Sequence, residues 1–226
     1  MPISTSKPSS EQIALDLRLA VPKTFETFLQ NRANEEAVAW LRHPEKWSVP
    51  ILAIVGPPGT GKSHLAKAFT QSHHARSFEV GQPIPISECR GQVIVLDDAQ
   101  GWSEESLFIL INMALNGDIE KLLLTDRQRP SNWNVKLPDL RSRLKNIQLV
   151  TLERPDEALL EPIIKTLFSD YGRQIDKSVV DYMMLHCARD IASLEADIAY
   201  IEHSARQQKA DVTKRFIAKA LRERTS

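Results

Sequence analysis

Eight consecutive residues have the types and spacing that bind a chain of phosphates. They are Gly56-Pro57-Pro58-Gly59-Thr60-Gly61-Lys62-Ser63, which satisfies the pattern GxxxxGK[ST]. Such glycines let the backbone turn its N–H groups toward a phosphate, and a following helix adds the positive end of its dipole. Lys62 then reaches the β- and γ-phosphates, and the hydroxyl of Ser63 binds Mg²⁺. The alternative is a chance turn at a strand–helix junction.

An acidic pair, Asp97-Asp98, comes 35 residues after Lys62 and directly follows the apolar run Val93–Leu96. A carboxylate at the end of a buried strand can hold Mg²⁺ through water, and the next one can orient an attacking water. We therefore assign the metal role to Asp97 and the water-orienting role to Asp98. A plain turn after a buried strand is the alternative.

Two further segments carry polar residues that could act on a nucleotide. Leu122–Leu124 leads into Thr125-Asp126, which either senses the terminal phosphate or simply leaves the strand. Arg141 and Arg143 lie just before the last predicted strand, where an arginine can point toward a neighbour's nucleotide and supply positive charge to the transition state. We expect this role for Arg143, against the alternative of a solvated surface arginine.

The elements that must position these residues follow from the apolar pattern. Five runs predict strands: Ile51–Val55, Ser77–Val80, Val93–Leu96, Leu122–Leu124 and Ile147–Leu152. A helical pattern follows the phosphate loop, and a second begins after the capping residue Ser103 and ends at Gly117. This alternation predicts an α/β fold, with a parallel five-stranded sheet covered by helices on both faces.

After residue 153 the strand signal disappears. Helical patterns remain at Leu159–Phe168, Val179–Cys187, Asp190–Gln207 and Phe216–Leu221, and Gly172 is a predicted helix stop. We therefore expect a flexible tail over 1–19, a nucleotide-binding α/β domain over 20–152 and a small all-helical lid domain over 153–226.

Composition restricts the classes of function. The 226 residues contain 29 Lys and Arg and 29 Asp and Glu, and this zero net charge argues against a general nucleic-acid binder. Cys89 and Cys187 are far apart and read as reduced thiols. We see no apolar run of membrane-spanning length and no signal-peptide core, so we expect a cytoplasmic protein without membrane contact.

Together, the phosphate loop, the Asp-Asp strand, the arginine segment and the helical lid resemble the AAA+ ATPases, close to the branch of the DnaA initiator. Within that branch, Leu137–Leu144 is similar to the arginine-finger segment of the Hda-type regulatory inactivators of DnaA. Thr24–Phe28 resembles the segment that packs near the adenine. The resemblance covers nearly the whole chain and implies ADP or ATP, with Mg²⁺, as the ligands.

A short segment near the start, Gln12-Ile13-Ala14-Leu15-Asp16-Leu17, resembles the motif by which Hda-type proteins dock on the replicative sliding clamp. Gln12 suits the rim of a pocket, and Ile13, Leu15 and Leu17 suit apolar subsites, in a segment that becomes ordered on binding. The alternative is that these residues make the first core contacts of the folded domain.

The lid departs from the pattern of the family. Helical lids in this branch offer an arginine, called sensor 2, to the phosphates, and here Ala192 occupies that position. Arg189 lies three residues earlier and is our candidate for a partial replacement. Without sensor 2 we expect slow ATP hydrolysis by the chain itself.

The resemblance implies a negative regulator of replication initiation. Such a protein binds ADP or ATP, docks on the sliding clamp, and promotes hydrolysis of DnaA-bound ATP through Arg143, with DNA contacted mainly through the clamp. Self-association through the arginine edge, common among AAA+ domains, stays open. Two alternatives remain: a DNA-dependent ATPase or helicase loader, and a non-catalytic, nucleotide-gated clamp adaptor.

Overall fold

A five-stranded parallel sheet lies at the centre of the computed structural model, which describes residues 23–32, 34–154, 157–187 and 191–225. The strands are β1 (Ile51–Val55), β2 (Arg76–Phe78), β3 (Val93–Leu96), β4 (Lys121–Asp126) and β5 (Gln148–Thr151). Their order across the sheet is β2-β3-β4-β1-β5, and each neighbouring pair is parallel. The predicted fold class is therefore confirmed.

Eight helices accompany the sheet in the described residues. They are α1 (Glu35–Arg42), α2 (Lys62–Ser72), α3 (Glu104–Asn116), α4 (Pro138–Leu144), α5 (Glu157–Ser169), α6 (Lys177–His186), α7 (Ile191–Gln208) and α8 (Lys214–Thr225). Within the ranges that the structure covers, none of them is long and apolar enough to span a membrane.

The central strand β1 explains why the sheet is covered on both faces. All five of its residues are buried. Ile51 and Ala53 pack into one hydrophobic core with α3 and α4, whereas Leu52 and Ile54 pack into another with α1 and α2. Successive side chains of a strand point to opposite faces, so a strand buried on both sides needs an unbroken apolar run.

Helices α5 to α8 share a third hydrophobic core of their own. It contains Leu160, Ile164, Phe168, Met183 and Ile198, among other residues, and the partly buried Leu29 packs against it. This cluster joins the helices that follow the sheet.

Several predicted boundaries needed correction. The second strand is Arg76–Phe78 instead of Ser77–Val80, because the chain turns before Gly81, which has φ +89°, and leaves Val80 exposed. The fourth strand runs on through Thr125 and Asp126, both buried. The last strand is Gln148–Thr151, shorter at both ends than predicted.

The sequence pattern did not predict two of the helices. The first is α1, which the sequence signals by Glu35 and Glu36 in its first turn and by buried Ala37, Val38 and Leu41 on one face. The second is α4, which we predicted only as an arginine-containing segment. The helix stops at Gly117 and Gly172 are confirmed, since both glycines have positive φ just beyond a helix.

Candidate functional site

The glycine-rich loop connects β1 to α2 at the carboxyl edge of the sheet. Gly59 and Gly61 have φ of +75° and +92°, conformations that side-chain-bearing residues rarely adopt. A Cβ at Gly61 would also lie 2.7 Å from Cε2 of Phe28. The ring of Phe28 therefore packs closely against the loop, and the loop backbone with the first turn of α2 forms a cradle of the kind that can hold a phosphate group.

Lys62, the first residue of α2, is buried beneath this loop. Its Nζ donates to the carbonyl oxygens of Gly56 and Pro57, each at 2.8 Å. Burial lowers the pKa of Lys62, and the nearby carboxylates of Asp98 and Asp97 partly offset that effect. The ammonium group is therefore bonded to the loop and attracted by the acidic pair, a setting in which it can hold phosphate oxygens.

The other loop residues frame the same cradle. The hydroxyl of the buried Thr60 donates to the carbonyl of Pro57 at 3.0 Å and so closes the loop on itself. Pro58 is exposed at the tip of the loop. Ser63 lines the neighbouring cavity and offers a hydroxyl for Mg²⁺.

The acidic pair follows β3, which lies beside β4 in the sheet. The hydroxyl of the buried Thr125 donates to Oδ1 of Asp97, and the N–H of Asp98 lies 3.3 Å from the same hydroxyl. Asp98 has φ +51°, an uncommon value for a residue with a side chain. Thr125 thus fixes the direction of Asp97 and ties the end of β3 to β4.

Asp126, the last residue of β4, organises the same edge. Its carboxylate accepts hydrogen bonds from the N–H groups of Gln100 at 2.7 Å, Arg127 at 2.6 Å and Gln128 at 3.2 Å. Its carbonyl accepts the N–H of Gly56 at 3.2 Å. Because these contacts occupy its carboxylate, Asp126 supports the two loops around the site.

A cavity of about 480 Å³ opens beside the loop. Three parts of the chain form its walls: the N-terminal segment around Thr27 and Phe28, the phosphate loop with α2, and the helices α5 and α7. Its apolar lining includes Leu159, Ile163 and Ile191. A cavity of this size, apolar with a few polar groups, is typical of small-molecule sites.

Carboxylates also line this cavity, among them Asp170, directly after α5, and Glu195 on α7. Burial raises the pKa of Asp170, and the charge of Glu195 raises it further. The apolar side of the cavity is therefore bordered by hydrogen-bond acceptors as well as by the phosphate loop.

His64 connects α2 to the N-terminal segment. Its Nε2 lies 3.0 Å from the carbonyl of Thr24, which requires a proton on that nitrogen. The rings of His64 and Phe28 meet edge to face with centroids 5.1 Å apart. Burial lowers the pKa of His64, which favours the neutral ring. This contact holds the segment 24–28 against the cavity.

Helix α7 meets the glycine-rich loop through the main chain. The N–H of Ile191, the first residue of α7, donates to the carbonyl of Gly59 at 3.2 Å. Ala192, at the position expected for sensor 2, is therefore next to a residue that contacts the loop. Arg189, our candidate to replace sensor 2, lies outside the described residues.

The predicted arginine finger lies on α4. The guanidinium Cζ of Arg143 stands 5.3 Å from the ring centroid of Phe108 on α3, and its buried Nε has no hydrogen-bond acceptor in the described chain. Arg141, in contrast, donates to the carbonyl of Val135. Of the two arginines, Arg141 donates a side-chain hydrogen bond within the described residues, whereas Arg143 contacts the aromatic ring of Phe108.

The site residues that lie in one continuous stretch of the chain were predicted from the sequence, whereas those brought together only by folding were not. Nothing local marked His64, Asp170, Glu195 or Phe108, because each contributes through a partner distant in sequence. Two of these residues had a weak sequence feature that could have pointed to them. His64 directly follows the phosphate-loop motif, and Phe108 lies on a helix that the sequence predicted. The segment Gln12–Leu17, with Ile13 and Leu15, lies outside the described residues.

No protein-family model matches the chain. In sequence it is 24% identical to an uncharacterized protein of Haemophilus influenzae, over 76% of this chain and 81% of that protein. It is also 24% identical to the chromosomal replication initiator protein DnaA of Lactobacillus delbrueckii subsp. bulgaricus, over 92% of this chain. The chain spans about half, 52%, of the length of that DnaA.

Solved structures extend this similarity. Domain III of DnaA from Thermotoga maritima matches with a TM-score of 0.73 at 17% identity, over 89% of this chain and 96% of that domain. DnaA bound to AMPPCP and single-stranded DNA matches at 0.65 and 20% identity, over 83% and 68%. The RuvB Holliday junction branch migration motor of Thermotoga maritima matches at 0.67 and 17% identity, over 89% and 72%.

These structural matches cover between 83% and 89% of this chain. The chain therefore has the AAA+ fold of DnaA domain III and is similar to DnaA in sequence over nearly its whole length.

Proposed function

We propose that this chain binds an adenine nucleotide and acts as a negative regulator of replication initiation, by promoting hydrolysis of ATP bound to DnaA. The observation that carries the proposal is the state of Arg143, held against Phe108 with no acceptor for its guanidinium in the described chain. A charge placed this way is free to act on a group outside the chain.

Adenine nucleotide as the ligand is supported by the cradle and the cavity. Gly56 to Ser63 would bind the phosphates, with Lys62 between them and the acidic pair, and the cavity beside Phe28 would take the base. DnaA, to which the chain is similar, is known bound to AMPPCP. Ser63 and Asp97 carry the oxygens suited to Mg²⁺, and Asp98 is the candidate to orient a water.

A role in trans is supported by the contrast between the two arginines of α4. Arg141 is tied to Val135, whereas Arg143 keeps its hydrogen-bond donors for another molecule. A guanidinium that meets the phosphates of a neighbour's ATP stabilises the negative charge of the transition state. DnaA is a suitable neighbour because AAA+ domains of one fold can pack edge to edge.

The substitution Arg143→Ala tests this role. We expect hydrolysis of DnaA-bound ATP in the presence of the variant to fall to the level of DnaA alone, since an arginine finger contributes about 10³–10⁵ in rate where it has been measured. Binding of a fluorescent ADP analogue should not change. The measurement is single-turnover hydrolysis of radiolabelled ATP on DnaA, with loaded clamp present.

Lys145→Ala is the matched control, because Lys145 is an exposed cation directly after α4. It should stimulate hydrolysis like the unmodified chain. Equal stimulation by Arg143→Ala would remove the arginine finger from the proposal.

Docking on the sliding clamp is the second part of the proposal, and its support is the sequence pattern of Gln12, Ile13, Leu15 and Leu17. We expect Gln12→Ala combined with Leu15→Ala to abolish clamp capture in a pull-down while ADP binding persists. If capture is unchanged, these residues are better explained as core contacts. If capture is lost but hydrolysis of DnaA-bound ATP does not need Arg143, the adaptor role is favoured.

A second candidate, a DNA-dependent motor or helicase loader, is favoured by the fold match to RuvB and to DnaA bound to single-stranded DNA. It requires fast ATP turnover by the isolated chain that single-stranded DNA stimulates. The same hydrolysis assay without DnaA separates the two candidates, because the regulator should turn over slowly with or without DNA.

A further inference from the structure

We propose that Glu104 and Phe108 of α3 are positioning residues that set the direction of Arg143. This inference rests on the proposed function, since it concerns the arginine that acts in trans. The two residues are four apart on one helix and so lie on the same face, one turn from each other. Each contacts a different part of the arginine-bearing helix α4.

Glu104 holds the beginning of α4. Its Oε1 accepts the N–H of Lys136 at 2.8 Å, and its Oε2 accepts the N–H of Leu137 at 3.0 Å. Helix α4 begins with Pro138, which has no N–H, and its N-cap residue Leu137 makes no side-chain cap. The carboxylate of Glu104 therefore fixes the entrance to α4 from outside, through two charge-assisted hydrogen bonds.

Phe108 holds the other end of α4. Its ring lies under the guanidinium of Arg143, with 5.3 Å from Cζ to the ring centroid. Nε of the same guanidinium is buried without a hydrogen-bond acceptor in the described chain. The attraction between a cation and an aromatic face favours this position of the guanidinium over the ring. The terminal nitrogens remain available for an anion.

Helix α3 is itself firmly held. Ser103 caps its beginning by accepting the N–H of Ser106 at 3.1 Å. Leu110 and Ile111 on α3 are fully buried in the core beneath the sheet. A helix anchored at its end and along its buried face does not turn freely, so the ring of Phe108 is a fixed platform for Arg143.

The platform is continuous with the chain's own nucleotide site. The turn Ala99–Gly101 joins Asp98 to the residues before α3, and the N–H of Gln100 donates to Asp126 Oδ2 at 2.7 Å. The turn that follows the acidic pair thus leads directly to the helix that aims Arg143. Glu104 and Phe108 act through α4 and do not contact a nucleotide themselves.

Four variants test the assignment in the single-turnover assay on ATP-bound DnaA. We expect Phe108→Leu to lower the maximal rate by about 2- to 30-fold, the range of a cation–π contact, while the half-saturating concentration of the chain stays the same. Phe108→Tyr keeps an aromatic ring and should restore the rate. Glu104→Gln should lower it, and Glu105→Gln, its exposed neighbour, should not. Fluorescent ADP binding confirms that each variant is folded.

A double-mutant comparison separates positioning from general damage. In the Arg143→Ala background, Phe108→Leu should cause no further loss, because its effect is transmitted through Arg143. An additional loss there, or a full rate for Phe108→Leu in the unmodified chain, overturns the assignment. If Arg143→Ala has no effect at all, the proposed function itself has failed.

Nuclear magnetic resonance decides the geometry independently of DnaA. The Nε–H signal of Arg143, identified by its absence in Arg143→Lys, should be shifted upfield by the ring of Phe108 and should exchange slowly. Phe108→Leu should return it to the position and exchange rate of an exposed arginine, and Phe108→Tyr should not. An exposed-type signal in the unmodified chain overturns the positioning role even if Arg143 proves to be the arginine finger.

Discussion

At the scale of single residues, the phosphate loop depends on backbone that only glycine tolerates well. Gly61 combines a φ of +92° with the nearby ring of Phe28, so two separate constraints apply at one position. Lys62 adds a third, because its buried ammonium group bonds the loop carbonyls of Gly56 and Pro57. The backbone conformation of Gly61, its contact with Phe28 and the hydrogen bonds of Lys62 therefore hold the shape of the loop together.

Gly61→Ala should weaken both stability and nucleotide binding. A left-handed conformation costs an alanine about 1–2 kcal/mol, and displacement of the Phe28 ring adds about 1–3 kcal/mol. The measurement is urea unfolding of the ligand-free chain, together with titration of a fluorescent ADP analogue.

Gly81→Ala is the matched control, because Gly81 has φ +89° but no atom within 4 Å of its would-be Cβ. It should cost only the backbone strain and should leave ADP binding intact. If the two variants lose the same free energy of unfolding, the clash with Phe28 does not contribute to the destabilisation of Gly61→Ala.

Residues that act within one contiguous stretch could be predicted from sequence. Gly56 to Ser63 form a motif whose spacing is set by the loop itself, and Asp97-Asp98 follow a strand that the apolar run marks. His64 and Glu195 could not be predicted as cavity residues, because their closeness exists only after α2 and α7 have packed.

At the scale of elements, α3 connects the carboxyl edge of the sheet to the helix that bears Arg143. Its first residue, Glu104, makes this connection through its carboxylate, which bonds the backbone just before α4. Two backbone hydrogen bonds, from Lys136 and Leu137, hold the pKa of Glu104 below its ordinary value of 4.5. A carboxylate stabilised in the folded state contributes stability above its unfolded pKa and loses it as pH falls.

Glu104→Gln should therefore lower the melting temperature at neutral pH, and the difference from the unmodified chain should shrink as pH falls below 4.5, the ordinary pKa of a glutamate. Thermal unfolding followed by circular dichroism across this range is the measurement. Glu105→Gln controls for the favourable interaction of any first-turn acid with the dipole of α3. A difference for Glu104→Gln that is constant with pH would falsify the role of its charge.

Elements buried on both faces were predicted well, and others less so. The bounds of β1 and β3 match the prediction because a strand covered on both sides needs a continuous apolar run. Edge strand β2 was misplaced because two of its three residues are exposed and carry little apolar signal. Helix α4 was too short, at seven residues, to show a periodic pattern.

At the scale of the whole molecule, one cavity is built from parts that are far apart in sequence. The N-terminal segment, the phosphate loop, α5 and α7 each supply a wall. A ligand that contacts all of them binds the folded chain and not the unfolded one, so it should stabilise the sheet and the lid helices together.

Saturating ADP should raise the free energy of unfolding by about 2.7 kcal/mol at one hundred times its Kd. Differential scanning calorimetry at increasing ADP should show a rising melting temperature. Lys62→Ala should remove the effect, because the phosphates lose their main cation. A shift of equal size in Lys62→Ala would mean that ADP stabilises the chain from another place.

The contact between α7 and the glycine-rich loop is made by the peptide N–H of Ile191 and the carbonyl of Gly59. Because no side chain takes part in this hydrogen bond, a scan of side-chain substitutions would not detect it. Proline is the one common replacement at position 191 that deletes the donor. Other replacements at this position would keep the hydrogen bond to Gly59 and would change only the lining of the cavity.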